Sequence, residues 1–182
     1  GVHDNLVTVQ DLEEIQNHDI CRSIDAIIHC GWPPPSTDAL LDIENTPKQF
    51  EFNITRPLRE CLALARLLRS KGKPGGLLVL VGSSFLSPGR HSWRMPMYSL
   101  AKSMIPILTK ILALELSVTG HRVVAINFDV LDGGMNMGIS NATRQSHADR
   151  TPTGLLPTMS DAAHQICWIL DNSGVLISGG SI

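Results

Sequence analysis

Tyr98 and Lys102 are the two residues of this chain whose spacing best suits proton transfer. Tyr98 is the only tyrosine among the 182 residues, and Lys102 follows it four positions later in a predicted helix. Side chains at positions i and i+4 share one helix face, so the phenol and the ammonium can enter the same cleft. A nearby cation favours the phenolate, so we expect Lys102 to lower the Tyr98 pKa and prepare the phenol for acid and base chemistry. Such a pair is also common on a solvated helix face, and other features must support it.

Two further polar features are predicted close to this pair. Ser83 and Ser84 directly follow an aliphatic run, where a hydroxyl could stabilise charge that develops on a substrate carbonyl or simply cap the strand end. Asn53 lies four residues before Pro57 in the preceding predicted helix. Proline has no N–H, so the usual helix bond to the Asn53 carbonyl cannot form. That carbonyl is expected to accept another partner, such as water, unless the proline only kinks the helix.

The elements that position these residues alternate between strands and helices. Strands are predicted from near-continuous aliphatic runs at residues 24–30, 76–82 and 121–128, and from residue 175 onward. Helices are predicted at residues 46–70, 96–119 and 161–170, the last capped by Ser160, whereas residues 132–157 are predicted to be irregular. This alternation predicts an α/β fold with a Rossmann-type, doubly wound parallel sheet in three α/β/α layers.

In their order and spacing, these segments resemble the short-chain dehydrogenase/reductase family in its short, single-domain branch. The resemblance runs from about Val7 to Ile182. It is carried by Ile24–Gly31 (strand 4 and its Asn-Asn-Ala-Gly turn), Phe52–Ile54 (the catalytic Asn), Val81–Ser84 (the catalytic Ser), Tyr98–Lys102 (the YxxxK signature), Leu112–Leu116 (a helix) and Gly120–Asn127 (strand 6). It implies Tyr98 as the acid and base, and Lys102 as the residue that holds the nicotinamide ribose. Ser84 would orient the carbonyl, with Ser83 as the alternative, and Asn53 would anchor a water that links Lys102 to solvent.

The resemblance also implies a nicotinamide cofactor, NAD or NADP, with NADPH slightly favoured. Besides Tyr98 and Lys102, its predicted contacts follow the first and third strands, at His29, Cys30, Gly31, Asp132, Gly133 and Asn136. His29 and Cys30 stand where the family usually has two asparagines. The family's glycine-rich GxxxGxG turn is absent, so we interpret residues 1–182 as one partial domain that lacks the first strands, and we expect a longer biological chain.

The implied activity is reduction of a ketone or 3-oxoacyl-type carbonyl, or oxidation of the alcohol, on a small-molecule or acyl-carrier-bound substrate. One alternative is an extended-type sugar-nucleotide epimerase or dehydratase, which shares YxxxK, although the stretch after Lys102 is short for its extra domain. Another is a non-catalytic Rossmann-like binding or regulatory subunit, which the missing glycine turn favours.

Charge and composition argue against several classes of binding partner. A net charge of −2 gives no electrostatic reason to expect nucleic acid or an anionic membrane. Lys110 interrupts the most apolar stretch, residues 103–116, so no membrane span is expected. The four cysteines and seven histidines show no metal-ligand spacing, and free thiols fit the cytoplasm. Helices 46–70 and 96–119 are expected to pair between subunits of a homo-tetramer or homo-dimer.

Overall fold

A parallel sheet forms the centre of the fold. The computed structural model describes residues 24–37, 40–84 and 95–182. Its strands are β1 (Ile24–His29), β2 (Gly72–Ser83) and β3 (Arg122–Phe128), in the spatial order β1–β2–β3 with both pairs parallel. The predicted α/β class and parallel sheet are therefore confirmed.

The central strand, β2, is longer than its aliphatic run. Leu77 to Leu80 are all buried, as expected for a strand covered on both faces. The strand begins at Gly72, four residues before the predicted start, and Lys73 in this extension forms a 2.8 Å ion pair with Asp25 of β1. A long-range ion pair of this kind cannot be found from apolar periodicity.

Helices cover both faces of the sheet. They are α1 (Thr46–Phe50), α2 (Arg56–Lys71), α3 (Pro96–Ser117), α4 (Asn141–Ala148) and α5 (Met159–Asp171), and a π-helical turn, Glu51–Thr55, joins α1 to α2. On one face, α2 and α3 pack on Leu78, Leu80 and Val123; on the other, Ile169 of α5 packs on the side that carries Val79. The three-layer α/β/α arrangement follows from this packing.

The segment after β3 is more ordered than its sequence indicates. Residues 132–157 include a 3-10 turn, Gly134–Asn136, and helix α4, which Ser140 caps by accepting the Thr143 N–H at 3.1 Å. The prediction of an irregular stretch was wrong there. The short helix has no aliphatic periodicity by which it could be recognised, and its N-terminal cap stabilises it. Thr158, not Ser160, caps α5, since its hydroxyl and the Asp161 carboxylate form a reciprocal capping box.

The fourth extended segment also begins later than predicted. A 3-10 turn occupies Ser173–Val175, where the strand was expected to start. Pairing with β3 begins at Gly179, whose N–H donates to the Val123 carbonyl at 2.7 Å, and continues to Ile182. The predicted segment exists, but its register is set by β3.

Among the described residues, helix α3 is long and apolar enough to cross a membrane, by length and composition only. The expectation that no segment would reach this length was therefore wrong. Ten of its 22 residues are buried in the fold, and Lys102 is one of them.

Candidate active site

The candidate site lies where the carboxyl ends of β1 and β2 meet the first turns of α3. Ligands of open α/β sheets bind at this edge. Helix α3 begins at Pro96 and carries Tyr98 and Lys102, and it also contacts the π turn that contains Asn53. The sheet and two helices therefore bring together groups that are up to about seventy residues apart in the sequence.

Lys102 is a buried cation at the centre of this site. It is 6% exposed, and its Nζ donates a hydrogen bond to the Val81 carbonyl of β2 at 3.0 Å. The same nitrogen lies 5.8 Å from the ring centre of Trp32 and 5.9 Å from that of Tyr98. Burial lowers the Lys102 pKa to about 8, so the side chain is charged at neutral pH and loses its proton in mild alkali.

Tyr98 is half-buried, and burial has the largest effect on its pKa. Burial raises the Tyr98 pKa, while a hydrogen bond from the Ser83 hydroxyl acts in the opposite direction. The expected net lowering of the Tyr98 pKa was therefore wrong for this arrangement, because burial outweighs the interactions that favour the phenolate. The phenol stays protonated at neutral pH and is ready to donate a proton.

The Ser83 hydroxyl forms a hydrogen bond with the Tyr98 phenol. The family resemblance implied Ser84 as the residue that orients the carbonyl, with Ser83 as the alternative. Strand β2 extends through Ser83, and Ser84 begins the turn that follows. Because consecutive side chains of a strand point to opposite faces, local sequence could not decide between two adjacent hydroxyls.

Asn53 lies in the π turn and is 5% exposed. Its side-chain amide donates to the Gln49 carbonyl at 2.9 Å, and the Arg56 N–H reaches the Glu51 carbonyl, five residues back. Pro57 cannot supply an N–H to the carbonyls four or five residues before it. The Asn53 carbonyl therefore lacks its usual α-helical donor, which keeps the expectation that it takes another partner.

The turn after β1 has a buried imidazole and an exposed backbone. His29 is 4% exposed, and neither ring nitrogen has a hydrogen-bond partner in the described part of the chain. Cys30 and Gly31 are exposed. A Cβ at Gly31 would lie 3.1 Å from His29 Nε2 and 3.3 Å from Glu60 Oε2, so a larger residue would have to displace one of these side chains.

Because the His29 imidazole is buried, we expect the stability of the fold to fall in acid. Burial lowers its pKa to about 4, so between about pH 6.5 and pH 4 the unfolded chain takes up a proton that the folded chain does not. Stability therefore falls as the pH falls through this window, by about 2 kcal/mol at pH 5. Urea unfolding at pH 7 and pH 5 should show this loss in the wild type and a smaller loss in His29→Phe. An equal loss in both would contradict it.

Trp32 is a further residue at this site, and the sequence analysis did not single it out. Its side chain is 4% exposed, and its indole N–H has no partner among the described residues. The indole packs edge-on against the His29 ring, with the two ring centres 5.6 Å apart. The available signal was its position, directly after the end of a buried strand.

The residues predicted after β3 are held within their own segment. Asp132 forms an ion pair with Arg144 of α4, and the Asn136 amide donates to the Leu131 carbonyl at 3.0 Å. Gly133 has a φ of 130°, which a residue with a side chain rarely adopts. In the described part of the chain, no hydrogen bond or ion pair joins these residues to Tyr98 or Lys102, so their contact with a cofactor stays a prediction.

The groups at the strand ends fit a nicotinamide ribose. Lys102 has three N–H donors, of which the Val81 carbonyl takes one. Cys30 and Gly31 are exposed at the carboxyl end of β1, and the His29 imidazole beside them has no hydrogen-bond partner among the residues that the structure describes. Donors and acceptors for sugar hydroxyls are therefore present at this edge.

The chain resembles known proteins in sequence and in fold. The sequence model of the family described as Enoyl-(Acyl carrier protein) reductase matches residues 10–182. No curated protein matches the chain.

Solved structures share the fold. An NAD+-bound xylitol dehydrogenase is 17% identical with a TM-score of 0.70, and the match covers 88% of this chain and 67% of that one. A short-chain glucose/ribitol dehydrogenase from Brucella melitensis is 16% identical with a TM-score of 0.75, covering 88% and 63%. The angucycline C-6 ketoreductase LanV with bound NADP is 14% identical with a TM-score of 0.74, covering 88% and 60%.

This chain thus spans roughly three fifths to two thirds of the length of those three proteins. At such low identity the structural likeness establishes the fold alone. The family model covers almost the whole chain, including the YxxxK segment on α3. The chain therefore belongs to the short-chain dehydrogenase/reductase family.

Proposed function

We propose that this chain is the catalytic part of an NAD(P)-dependent oxidoreductase that reduces a ketone or 3-oxoacyl-type carbonyl, or oxidises the corresponding alcohol. The observation that carries the proposal is the grouping of Tyr98, Ser83 and Lys102 at the carboxyl edge of the sheet. Here a half-buried phenol receives a hydrogen bond on its oxygen and has a cation beside its ring.

Tyr98 acts as the proton donor in the reductive direction. Its raised pKa keeps the phenol protonated at neutral pH, so the proton is available when negative charge develops on a substrate carbonyl oxygen. The Ser83 hydroxyl donates to the same phenol oxygen and stabilises the phenolate that remains. In the oxidative direction the phenolate accepts the proton of the alcohol.

Lys102 supplies the positive charge that this step requires. After proton transfer the phenolate has the buried Lys102 ammonium 5.9 Å from its ring centre, and electrostatic stabilisation by a buried charge is stronger than in bulk water. Because the Lys102 pKa is about 8, this help is present at neutral pH and is lost in mild alkali. The nicotinamide supplies the hydride when bound, and Lys102 and the Cys30–Gly31 backbone would hold it. The xylitol dehydrogenase carries NAD+ and the ketoreductase carries NADP, so we propose either cofactor.

An apolar substrate suits the segment after β3. Met135, Met137, Leu155 and Met159 are 50–77% exposed on this segment. Methionine side chains adapt to irregular apolar ligands. These side chains favour a carbonyl attached to an apolar or acyl group, presented free or on an acyl carrier.

A cofactor titration followed by turnover tests the function. With the full-length protein, quenching of intrinsic fluorescence by NADH and NADPH measures binding, and cofactor oxidation is then followed with a panel of ketones and 3-oxoacyl thioesters. Binding with turnover supports the proposal. Binding without turnover of any carbonyl would favour a non-catalytic subunit, and absence of binding would exclude the proposed chemistry.

Alanine substitution separates the two serines. We expect Ser83→Ala to lower kcat by about a hundredfold, because a donor to the reacting oxygen is lost. Ser84→Ala is the matched control and should lower kcat by less than about tenfold. Steady-state kinetics with one substrate would check this, and the reverse order of effects would reassign the role to Ser84.

We also propose a homo-oligomer assembled through helix α3. Ile107, Ile111, Leu114 and Val118 are 49–75% exposed and are spaced three or four residues apart. They therefore form one exposed apolar stripe along the outer face of the helix. An isologous contact between two copies would bury both stripes.

Charge on this stripe is expected to dissociate the oligomer. Leu114→Asp places a carboxylate where two copies would meet, so the mass measured by light scattering should fall to that of one chain. Leu155→Asp is a control at a similarly exposed leucine, 71% against 75%, outside the stripe. A wild-type protein that is already monomeric, or an oligomer that survives Leu114→Asp, would refute this interface.

A further inference from the structure

The ammonium group of Lys102 lies close to two aromatic rings. Its Nζ is 5.8 Å from the centre of the Trp32 indole and 5.9 Å from that of the Tyr98 phenol. Both distances lie within the range of about 6 Å over which an aromatic face attracts a cation, and indole is the stronger of the two rings.

The Trp32 indole is held in place by the core. It is 4% exposed and packs in the same hydrophobic cluster as Ala101 and Ile105, which flank Lys102 on α3. The centre of the His29 ring lies 5.6 Å from that of the indole, and the two ring planes make an angle of 64°. Because the ring is packed by its neighbours, it provides a fixed surface for the cation.

Lys102 has no carboxylate as an ion-pair partner within the described ranges. The titratable groups that face it are His29 and Cys30 at the end of β1 and Tyr98 on its own helix. Burial keeps His29 neutral above about pH 4 and raises the pKa of the Tyr98 phenol. Burial also raises the pKa of the Cys30 thiol, while the nearby Lys102 charge acts in the opposite direction. None of the three is therefore an anion at neutral pH, although a buried cation is costly without compensation.

We propose that Trp32 is a positioning residue for Lys102: the face of its indole stands in for a counter-ion and holds the ammonium at the end of β2, beside Tyr98. Its effect on turnover rests on the function proposed above. The contact itself is a property of the protein without cofactor.

The contact is tested by the fluorescence of Trp32. In the full-length protein, phenylalanine replaces every other tryptophan, Trp93 and Trp168 in this chain, so that Trp32 is the remaining reporter. We expect its emission to change in a single step near pH 8, where Lys102 loses its proton. Lys102→Met should remove the step. Lys102→Arg should also remove it and hold the emission at the low-pH level, since arginine stays charged.

Cys30→Ala is the control for thiol titration and should keep the step. A step that persists in Lys102→Met, or no step in the starting protein, would overturn the contact. Loss of the step in Cys30→Ala would assign it to the thiol and would overturn the contact as well. If Lys102→Met fails to fold, Lys102→Arg gives the same decision.

Turnover tests the positioning role. Trp32→Leu and Trp32→Phe both keep an apolar side chain in the cluster, but only phenylalanine keeps an aromatic face. We expect Trp32→Leu to move the alkaline limb of the kcat profile to lower pH by up to about one pH unit, and Trp32→Phe to lie between it and the wild type. Unchanged profiles in both variants would overturn the role. Absence of any turnover would reject the proposed function, while the fluorescence result would still decide the contact.

Discussion

Replacing Tyr98 with phenylalanine is expected to lower kcat by about a thousandfold while the cofactor Kd changes by less than about threefold. The substitution removes the hydroxyl alone. The aromatic ring, which lies 5.9 Å from the Lys102 ammonium, remains. The buried cation therefore keeps its surroundings, and the loss of rate reports the loss of the proton donor. Single-turnover measurements of cofactor oxidation would isolate this step from product release.

The Tyr98→Phe experiment needs a control that perturbs the same helix without touching the reacting oxygen. Leu100→Ala is suitable, because Leu100 is two residues from Tyr98 and is 40% exposed. It should leave kcat within about twofold of the wild type, since surface substitutions seldom exceed about 0.5 kcal/mol. If Tyr98→Phe kept near-normal turnover, the phenol would not be the acid.

Replacing Lys102 with methionine is expected to lower activity and raise stability together. The activity falls by at least about a hundredfold in kcat, because the phenolate loses its nearby cation, and cofactor binding weakens as well. The stability rises because a buried ammonium is replaced by an apolar side chain of similar length. A purely structural lysine would show losses in both measurements.

The pH dependence of stability shows whether burying the charged Lys102 side chain stabilises or destabilises the fold. The Lys102 pKa is about 8 in the folded chain and about 10.4 in an unfolded one. Between these values the unfolded state binds more protons, so the stability of the wild type rises with pH in this window. Below pH 8 the folded state carries the whole cost, about 3 kcal/mol.

Denaturant unfolding at pH 7 and pH 10 would measure this cost. Lys102→Met should be the more stable protein at pH 7, and its advantage should shrink at pH 10. A methionine variant that is less stable than the wild type at pH 7 would show that the contacts of the ammonium outweigh its burial.

Local patterns in the sequence predicted much of the architecture. The aliphatic run of residues 76–82 identified the central strand, and the Pro96 and Gly120 boundaries identified helix α3 to within two residues. These features depend on neighbours along the chain, so they can be recognised without a fold. The same holds for Tyr98 and Lys102, whose shared helix face follows from their spacing alone.

Local spacing was insufficient where a contact joins distant segments. Helix α4 and the late start of the fourth extended segment depend on a cap and on pairing with β3. The choice between Ser83 and Ser84 depends on how the end of β2 meets α3. Trp32 reaches Lys102 across seventy positions of sequence because the indole packs in one core cluster with Ala101 and Ile105, which flank Lys102.

The sequence by itself determined that a phenol and an ammonium lie one helical turn apart, and it predicted serines at the end of the preceding strand. Only the tertiary structure decided their chemical state. Burial raises the Tyr98 pKa and lowers that of Lys102, the reverse of what a simple phenol–ammonium pair predicts for the phenol. The physical reason is desolvation, which depends on every segment packed around a charge and therefore cannot be obtained from the spacing of two residues.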